Sequence, residues 1–168
     1  MPSSLKTELK ASIKIIQTAA PDGGSARVEQ IVEKIVELLS GTTNDKADLA
    51  FCDTRTLASN TAEDIDLAGA LANALGETLT IAEVVAVLIV SSAANTTNLT
   101  IGGSANGGEA QLFFGATGDK AVVKPGGLLM AYAPAGWAIT ATSADDLGVA
   151  NASGASATYD IIVIGRSA

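Results

Sequence analysis

The most regular pattern in the chain begins at Asp48, where short apolar runs alternate with segments rich in Gly, Asn, Ser and Thr. The runs recur about every 8 to 12 residues, which is typical of all-β sandwiches and barrels. They cover residues 78–91, 99–101, 112–114, 121–123, 128–132, 137–142, 147–150 and 158–164. Within the last run, the β-branched residues 161–164 indicate a central strand that is buried on both faces.

The N-terminal residues show no single periodicity. Leu5, Leu9, Ile13 and Ile16 follow helical spacing, whereas residues 11, 13 and 15 follow strand spacing. Helix and strand therefore both remain open for this segment. The sequence Pro-Asp-Gly-Gly at residues 21–24 predicts a turn, because proline fixes one φ angle and glycine permits positive φ.

Two further segments resemble helices by local pattern. Apolar residues recur at helical spacing over residues 28–39, and glutamates occupy the positions between them, which predicts an amphipathic helix. These residues are Val28, Ile31, Val32, Ile35, Leu38 and Leu39, with Glu29, Glu33 and Glu37. Residues 67–75 are rich in Ala and Leu and have high helix propensity, although Gly69 and Gly76 limit such a helix to about two turns.

Charge and composition restrict the possible functions. The formal net charge is −8, divided between a nearly neutral segment 1–55 and an acidic remainder. We expect no nucleic-acid partner, because binding to phosphates requires a basic patch. We also expect no membrane partner, because the longest apolar run, residues 84–90, is too short to span a bilayer and residues 5–17 lack an apolar signal-peptide core. The chain is therefore expected to be soluble and made in the cytoplasm.

Catalytic chemistry has few candidates. The chain has no histidine and one cysteine, Cys52, which we interpret as a buried structural thiol. The glycine-rich segment 102–108 lacks the Lys and Ser/Thr of a P-loop, and the Lys-Pro-Gly-Gly sequence at 124–127 predicts a type II turn. Acidic residues cluster at Glu63, Asp64, Asp66, Asp145 and Asp146, but no calcium-loop motif contains them. We therefore predict no enzyme activity, no catalytic or cofactor-binding residues, no cofactor and no metal site, and we expect Trp137 to anchor a sheet core.

Several segments together resemble the small β-rich virion proteins of tailed bacteriophages, including head decoration proteins. The resemblance covers about residues 48–166. It is carried by residues 51–69 (FCDTRTLASNTAEDIDLAG), 78–84 (TLTIAEV), 95–103 (NTTNLTIGG), 125–127 (PGG), 136–137 (GW) and 158–165 (TYDIIVIG). It implies a mostly-β protein with an antiparallel, jelly-roll-like β-sandwich on the outside of a virus particle. It also implies a strand in place of the helix at 28–39, and we favour the strand.

The resemblance implies a structural role for the chain. We expect a capsid decoration protein that binds and stabilises a phage head, with the major capsid protein as partner and a homotrimer as the oligomeric state. The alternative is a fibre-type attachment module that binds a receptor or carbohydrate through loops 102–108 and 153–156. We expect an N-terminal arm or subdomain at 1–47 and the sandwich at 48–168. The arm should contact the particle or a neighbouring subunit through Leu5, Leu9, Ile13, Ile15 and Ile16.

Overall fold

A computed structural model describes residues 4–20, 22–69, 71–152 and 154–167 of the chain. Within these ranges all regular structure is β-strand, and every pairing between named strands is antiparallel. The prediction of an antiparallel β-sandwich is therefore confirmed. No helix in the described ranges has the length and apolar character needed to cross a membrane.

The strands form a two-stranded hairpin and two four-stranded sheets. Strands β1 (Lys6–Ala19) and β2 (Ala26–Leu39) form the hairpin. The first sheet has the order β3-β10-β5-β8 and the second has the order β4-β9-β6-β7. Their bounds are β3 Leu49–Leu57, β4 Thr61–Asp66, β5 Glu83–Ser91, β6 Leu99–Ile101, β7 Ala121–Val123, β8 Leu128–Ala138, β9 Asp146–Asn151 and β10 Ala157–Arg166. Successive strands often alternate between the two sheets, which is compatible with jelly-roll-like connectivity.

The main core lies between the two sheets. Alternation along each strand directs every second side chain inward, so that Phe51 of β3, Val163 of β10 and Val87 of β5 form one buried row. Ile65, Ile101 and Leu147 of the second sheet face this layer and are also buried. The continuous run 161–164 lies in β10, the central strand between β3 and β5, as its composition predicts.

The helix prediction for residues 28–39 is wrong. This segment is strand β2, paired with β1 from Lys6↔Leu39 to Ala19↔Ala26. Apolar residues follow helical spacing here because β2 carries aliphatic side chains on both of its faces. Each face has the strand period of two, and the two patterns together resemble helical spacing. The strand that the resemblance implied is therefore correct, and the turn predicted at 21–24 connects the strands, although Pro21 itself lies outside the described residues.

The second predicted helix is also absent from the described residues. Residues 67–69 and 71–75 form turns and bridges, and residue 70 lies outside the described part of the chain. The backbone instead pairs with distant segments, since Leu67 N–H donates to the Asp145 carbonyl and Ile81 N–H donates to the Leu67 carbonyl. Burial of Leu67 and Leu71 in the sandwich core outweighs their helix propensity.

Two smaller predictions have opposite outcomes. The turn at 124–127 is confirmed, because Gly127 N–H donates to the Lys124 carbonyl at 2.8 Å and Gly126 has φ of +71°. The interpretation of Cys52 as a buried thiol is wrong, because Phe51 points into the core and Cys52, the next residue of β3, is exposed on the opposite face.

Candidate interaction surface

The hairpin has one face that is mostly apolar. Cross-strand partners project to the same side, so odd-numbered residues 7–19 of β1 and even-numbered residues 26–38 of β2 share what we call the apolar face. Beyond its base this face exposes Ile13, Ile15, Val28 and Val32, with Ile13 68% and Val32 77% exposed. Within the described ranges of β1 and β2, the only charged side chain on this face is Lys34.

The opposite side of the hairpin, the ladder face, combines ion pairs with aliphatic residues. It consists of even-numbered residues 6–18 and odd-numbered residues 27–39. Three lysines spaced four residues apart on β1 pair diagonally with three glutamates spaced four apart on β2. The pairs are Lys6–Glu37 at 3.5 Å, Lys10–Glu33 at 2.9 Å and Lys14–Glu29, and Ile16, Ile31, Ile35 and Leu39 lie exposed among them. The positive charges of these β1 lysines are thus neutralised by glutamates of β2.

The base of the hairpin packs on the outside of the first sheet. Leu38 is fully buried with Val85, Ala86 and Ile164, and Leu9 packs against the same cluster. Leu5, Val36, Ala50, Tyr132 and Ile162 are the other partly buried aliphatic and aromatic members. The hairpin is thereby attached at one end, while all described residues from Ala11 to Ala20 and from Asp22 to Ile35 are exposed.

A buried arginine fixes the connection between the hairpin and the sandwich. Arg166, at the end of β10, is 0% exposed and donates hydrogen bonds to the carbonyl oxygens of Thr43, Pro134 and Ala135. Its Nε lies 2.7 Å from a carboxylate oxygen of Glu83, which supplies the opposite charge. Because Thr43 belongs to the loop after β2, this one side chain joins the end of the hairpin to β8 and β5.

The outer face of the first sheet carries a second group of apolar side chains. The strand register places Cys52, Ile162, Leu88 and Met130 in one row across β3, β10, β5 and β8. The row beyond it contains Thr54, Asp160, Val90 and Leu128, of which Leu128 is 65% exposed. We call these eight side chains the outer rows. The hairpin base covers the neighbouring row, which includes Ala86 and Ile164.

A groove separates the hairpin from these outer rows. Thr7 and Leu9 line one wall, Leu88, Met130 and Ile162 line the other, and the volume is about 270 Å³. A second hollow of about 150 Å³ continues it along Ala11, Lys34 and Tyr132. The apolar face therefore leaves the sheet at an angle, and an open apolar wedge lies between them.

The five predicted contact residues divide into two groups. Leu5 and Leu9 pack at the hairpin base, whereas Ile13, Ile15 and Ile16 are exposed on the projecting part. Leu9, Ile13 and Ile15 lie on the apolar face, and Ile16 lies on the ladder face. Sequence reasoning missed their partners Val28 and Val32 on β2. Two apolar segments of equal length on either side of a Pro-Asp-Gly-Gly turn were the signal that could have revealed them.

The acidic cluster stabilises loops in the structure. Asp64 of β4 accepts hydrogen bonds from the Ala105 and Asn106 backbone amides and from the Ser104 hydroxyl. Buried Glu109 likewise accepts from the Gly103 and Gly118 amides at 3.0 and 2.6 Å. Within the described ranges, no group of three or more His, Cys, Asp or Glu side chains is arranged to hold a metal ion.

Burial changes the titration of one carboxyl group in this cluster. The pKa of Asp146 is raised, mainly because burial disfavours its charged form, and the negative charges of Asp64 and Asp145 act in the same direction. A hydrogen bond from the Ser104 hydroxyl at 3.1 Å opposes the increase. Asp145 accepts a bond from the Thr142 amide at 2.7 Å, so Asp145 holds loop backbone and Asp146 holds a loop side chain.

Two aromatic groups lie near the edges of the sandwich core. Tyr159 is buried and donates to Glu63 at 2.6 Å, and Glu63 accepts from Arg55 at 2.7 Å. Burial, together with Glu63, raises the pKa of the Tyr159 phenol. Trp137 packs partly buried against the core, with its ring 5.9 Å from that of Phe113 in an edge-to-face arrangement. Through these contacts, Tyr159 and Trp137 both belong to the sandwich core.

The projecting hairpin and the outer rows are therefore the surfaces with the strongest potential for interaction. Both expose aliphatic side chains, and both lie on the same side of the sandwich. In comparisons with family models, curated proteins and solved structures, none matches this chain.

Proposed function

We propose that this chain is a non-enzymatic structural protein of a virus particle, a capsid decoration protein of the kind found on phage heads. The observation that carries this proposal is the hairpin, which extends about 45 Å at the rise of an antiparallel strand. Aliphatic side chains are exposed on both of its faces. A two-stranded hairpin is marginally stable by itself, so such an element gains stability when another protein covers it.

The chemistry of the hairpin suits contact with protein subunits. Its ion pairs are internal, so the remaining surface offers mainly aliphatic groups and backbone edges. Each Å² of apolar surface buried contributes about 25 cal/mol, and several exposed isoleucines and valines could together supply a substantial free energy of binding. On a shell, this energy would add to the free energy needed to separate neighbouring subunits.

The proposed partner is the major capsid protein, and the proposed location is the outside of the capsid. A homotrimer would suit this role, because closed rotational symmetry is common in protein assemblies and a threefold axis contacts several shell subunits at once. The resemblance of residues 48–166 to phage virion proteins supports the same proposal, and the β-sandwich gives the rigid body that such a role requires.

Particle binding by a shortened hairpin tests the proposed function. Residues 12–33 can be replaced by Asn-Gly, because Ala11 pairs with Lys34 and a two-residue turn can close that position. We expect the shortened protein to stay folded, to lose binding to particles that lack the protein, and not to raise their disruption temperature. The full chain should bind at many copies per particle and raise it.

A matched loop variant serves as the control. Replacement of the exposed residues Ala105 and Asn106 by Ser changes a loop that Asp64 of the second sheet holds and should leave particle binding unchanged. Full binding by the shortened hairpin would contradict the proposed role. A simple deletion of residues 2–20 would not serve this purpose, because it would remove β1 and leave the backbone of β2 unpaired.

A fibre-type attachment module is the second candidate. The observation in its favour is the 102–108 loop, which Asp64 holds in one conformation through bonds to two backbone amides and the Asn106 side chain. A preformed loop is suited to recognition of a receptor or carbohydrate. The Ala105 and Asn106 variant distinguishes the two roles, because an attachment module would lose adsorption to host cells and keep its place on the particle.

A further inference from the structure

We infer that the apolar face of the hairpin docks on the outer rows of a second copy of this chain. In the resulting assembly, Ile13, Ile15, Val28 and Val32 of one copy would pack over Cys52, Ile162, Leu88 and Met130 of its neighbour. The inference goes beyond the proposed function, because it concerns association of the free protein in the absence of any particle.

The exposed area matches what an interface between copies requires. The four aliphatic side chains on the apolar face expose on the order of 400 Å², which is the size of the largest, often functional, apolar patch on a typical monomer. The outer rows of the neighbour present a comparable group of half-buried and exposed side chains. In a pair whose two copies exchange these surfaces reciprocally, the area approaches about 800 Å² per partner, the standard size of a specific interface; in a ring, each interface would bury about half of that per partner.

The projecting part of the hairpin is also similar in length to the strands of the neighbour's first sheet. The projecting part of β1, from Ala11 to Ala19, has nine residues, and β3 and β5 of the first sheet have nine residues each. The neighbour's own hairpin base covers one end of this sheet face, so a docked hairpin would cover the remaining outer rows. The open wedge next to the outer rows, lined by Leu9, Leu88 and Met130, leaves space for its entry.

The charges favour this pairing over contact between two hairpins. Lys34 is the only charge on the apolar face within β1 and β2, and Asp160 is the only acidic or basic residue within the outer rows. The two charges are opposite, whereas hairpins packed against each other would bring two copies of Lys34 together. The lysines of the ladder face are already paired within the hairpin.

A second copy is the occupant that covers both surfaces. The chain itself carries an apolar projection and an apolar receiving surface, so a closed symmetric ring or pair leaves neither of them open. A foreign partner seated on the apolar face would leave the outer rows exposed, whereas the ladder face, with Ile16, Ile31 and Ile35, remains available to the proposed shell partner. Continuity with the existing packing supports the same arrangement, since the receiving rows adjoin the row that the chain's own hairpin base covers.

Native mass spectrometry and sedimentation of the purified chain, without particles, give the first test. We expect one closed oligomer over about 1 to 100 µM protein. Ile13→Ser with Val32→Ser should weaken association at least about tenfold, because both side chains lie at the proposed contact. The matched pair Ile31→Ser with Ile35→Ser removes similar groups from the ladder face and should change association less than about threefold.

Cys52 gives a second, position-specific test. In the assembly its thiol is covered, so a neutral maleimide should react more slowly with the wild-type chain than with the Ile13→Ser, Val32→Ser variant. Under mild oxidation, Ile15→Cys should form a disulfide with Cys52 of a neighbouring copy, and Cys52→Ser should abolish that cross-link. This measurement needs only one exposed substitution, so it holds even if the double variant fails to fold.

Three outcomes would overturn the inference. One is a wild-type monomer throughout the concentration range; if the apolar-face variant then also lost particle binding, the shell protein would be the occupant and the proposed function would stand. Another is equal weakening by the apolar-face and ladder-face variants. The third is cross-linking of Ile15→Cys chains in the absence of Cys52, which would place hairpin against hairpin.

Discussion

The hairpin and the sandwich use the same secondary structure in opposite ways. In the sandwich, β10 places Ile161 and Val163 in a closed core, whereas β1 exposes Ile13 and Ile15 at equivalent alternate positions. Charge separates the regions as well. Residues 1–39 contain five basic and five acidic residues, and residues 40–168 contain five basic and thirteen acidic ones, so the whole net charge of −8 lies outside the hairpin.

This difference shows that strand formation and strand burial are separate outcomes. The hairpin owes its shape to fourteen backbone pairs, a turn and a ladder of ion pairs, none of which requires a core. The sandwich owes its shape to two facing sheets. Core substitutions should therefore lower the stability of the sandwich, whereas substitutions in the hairpin should mainly change its association with other chains.

The largest effect is expected where the two regions join. Arg166→Met would leave the carbonyls of Thr43, Pro134 and Ala135 without their donor and Glu83 without its buried partner. We expect the free energy of unfolding to fall by about 3 to 5 kcal/mol. Urea denaturation measures it, and hydrogen exchange at residues 41–47 should rise. Arg27→Met, which removes an exposed pair with Glu29, is the control; an equally small effect at Arg166 would mean that its hydrogen bonds do not anchor the loop.

A matched pair of isoleucines tests the comparison directly. Ile161→Ala opens a cavity in the core and should lower the free energy of unfolding by about 2 to 5 kcal/mol. Ile13→Ala removes the same atoms from an exposed position and should change it by less than about 0.5 kcal/mol. Both are measured by urea denaturation at one low protein concentration, so that association does not contribute. Equal losses would show that the hairpin belongs to the core.

A smaller effect concerns pH. Because the pKa of Asp146 is raised in the folded chain, the folded state binds this proton more readily than the unfolded state. The free energy of unfolding should therefore fall as pH rises from the ordinary value of 3.8 through the raised value. Asp146→Asn should flatten this part of the stability profile, measured by thermal unfolding against pH. Asp22→Asn, in the hairpin turn, should not; an unchanged profile for Asp146→Asn would argue against a buried carboxyl.

The smallest effect is expected at the ladder face. Glu33→Gln removes the pair with Lys10, in which both side chains are substantially exposed. Exposed pairs contribute at most about 1 kcal/mol and are screened by salt. We expect a decrease below about 0.5 kcal/mol in the free energy of unfolding, abolished by 0.5 M NaCl. A larger, salt-independent decrease would mean that the ladder is covered by another surface.

The sequence predicts the sandwich better than it predicts the hairpin. Short apolar runs separated by glycine-rich turns indicate strands wherever one face is buried, as at residues 99–101 and 121–123. In β2 both faces carry aliphatic groups, so the strand period of two is hidden and a helical spacing takes its place. At residues 67–75, local propensity is overridden by hydrogen bonds to distant segments, which no local pattern contains.

The interaction surface is predictable only in part. Ile13, Ile15 and Ile16 stand out because too few apolar residues surround them to form a core. Which side chains form the outer rows depends on the order and register of neighbouring strands. The sequences of β3, β10, β5 and β8, read one at a time, do not contain that information. Arg166 gave no signal either, since a basic residue at the end of a strand is commonly exposed, and its burial depends on carbonyls from the loop after β2 and from strand β8.

The central place of β10 has a consequence for how the protein matures. This strand follows every other described strand in the chain, yet it pairs with both β3 and β5 in the middle of the first sheet. During synthesis the hairpin, whose contacts are local, can form in microseconds, while the sheet must wait for the last strand to leave the ribosome. A partly synthesised chain therefore exposes the apolar side chains of the hairpin before the sandwich is complete. Order of emergence, in addition to affinity, would then govern whether neighbouring nascent chains assemble correctly or aggregate.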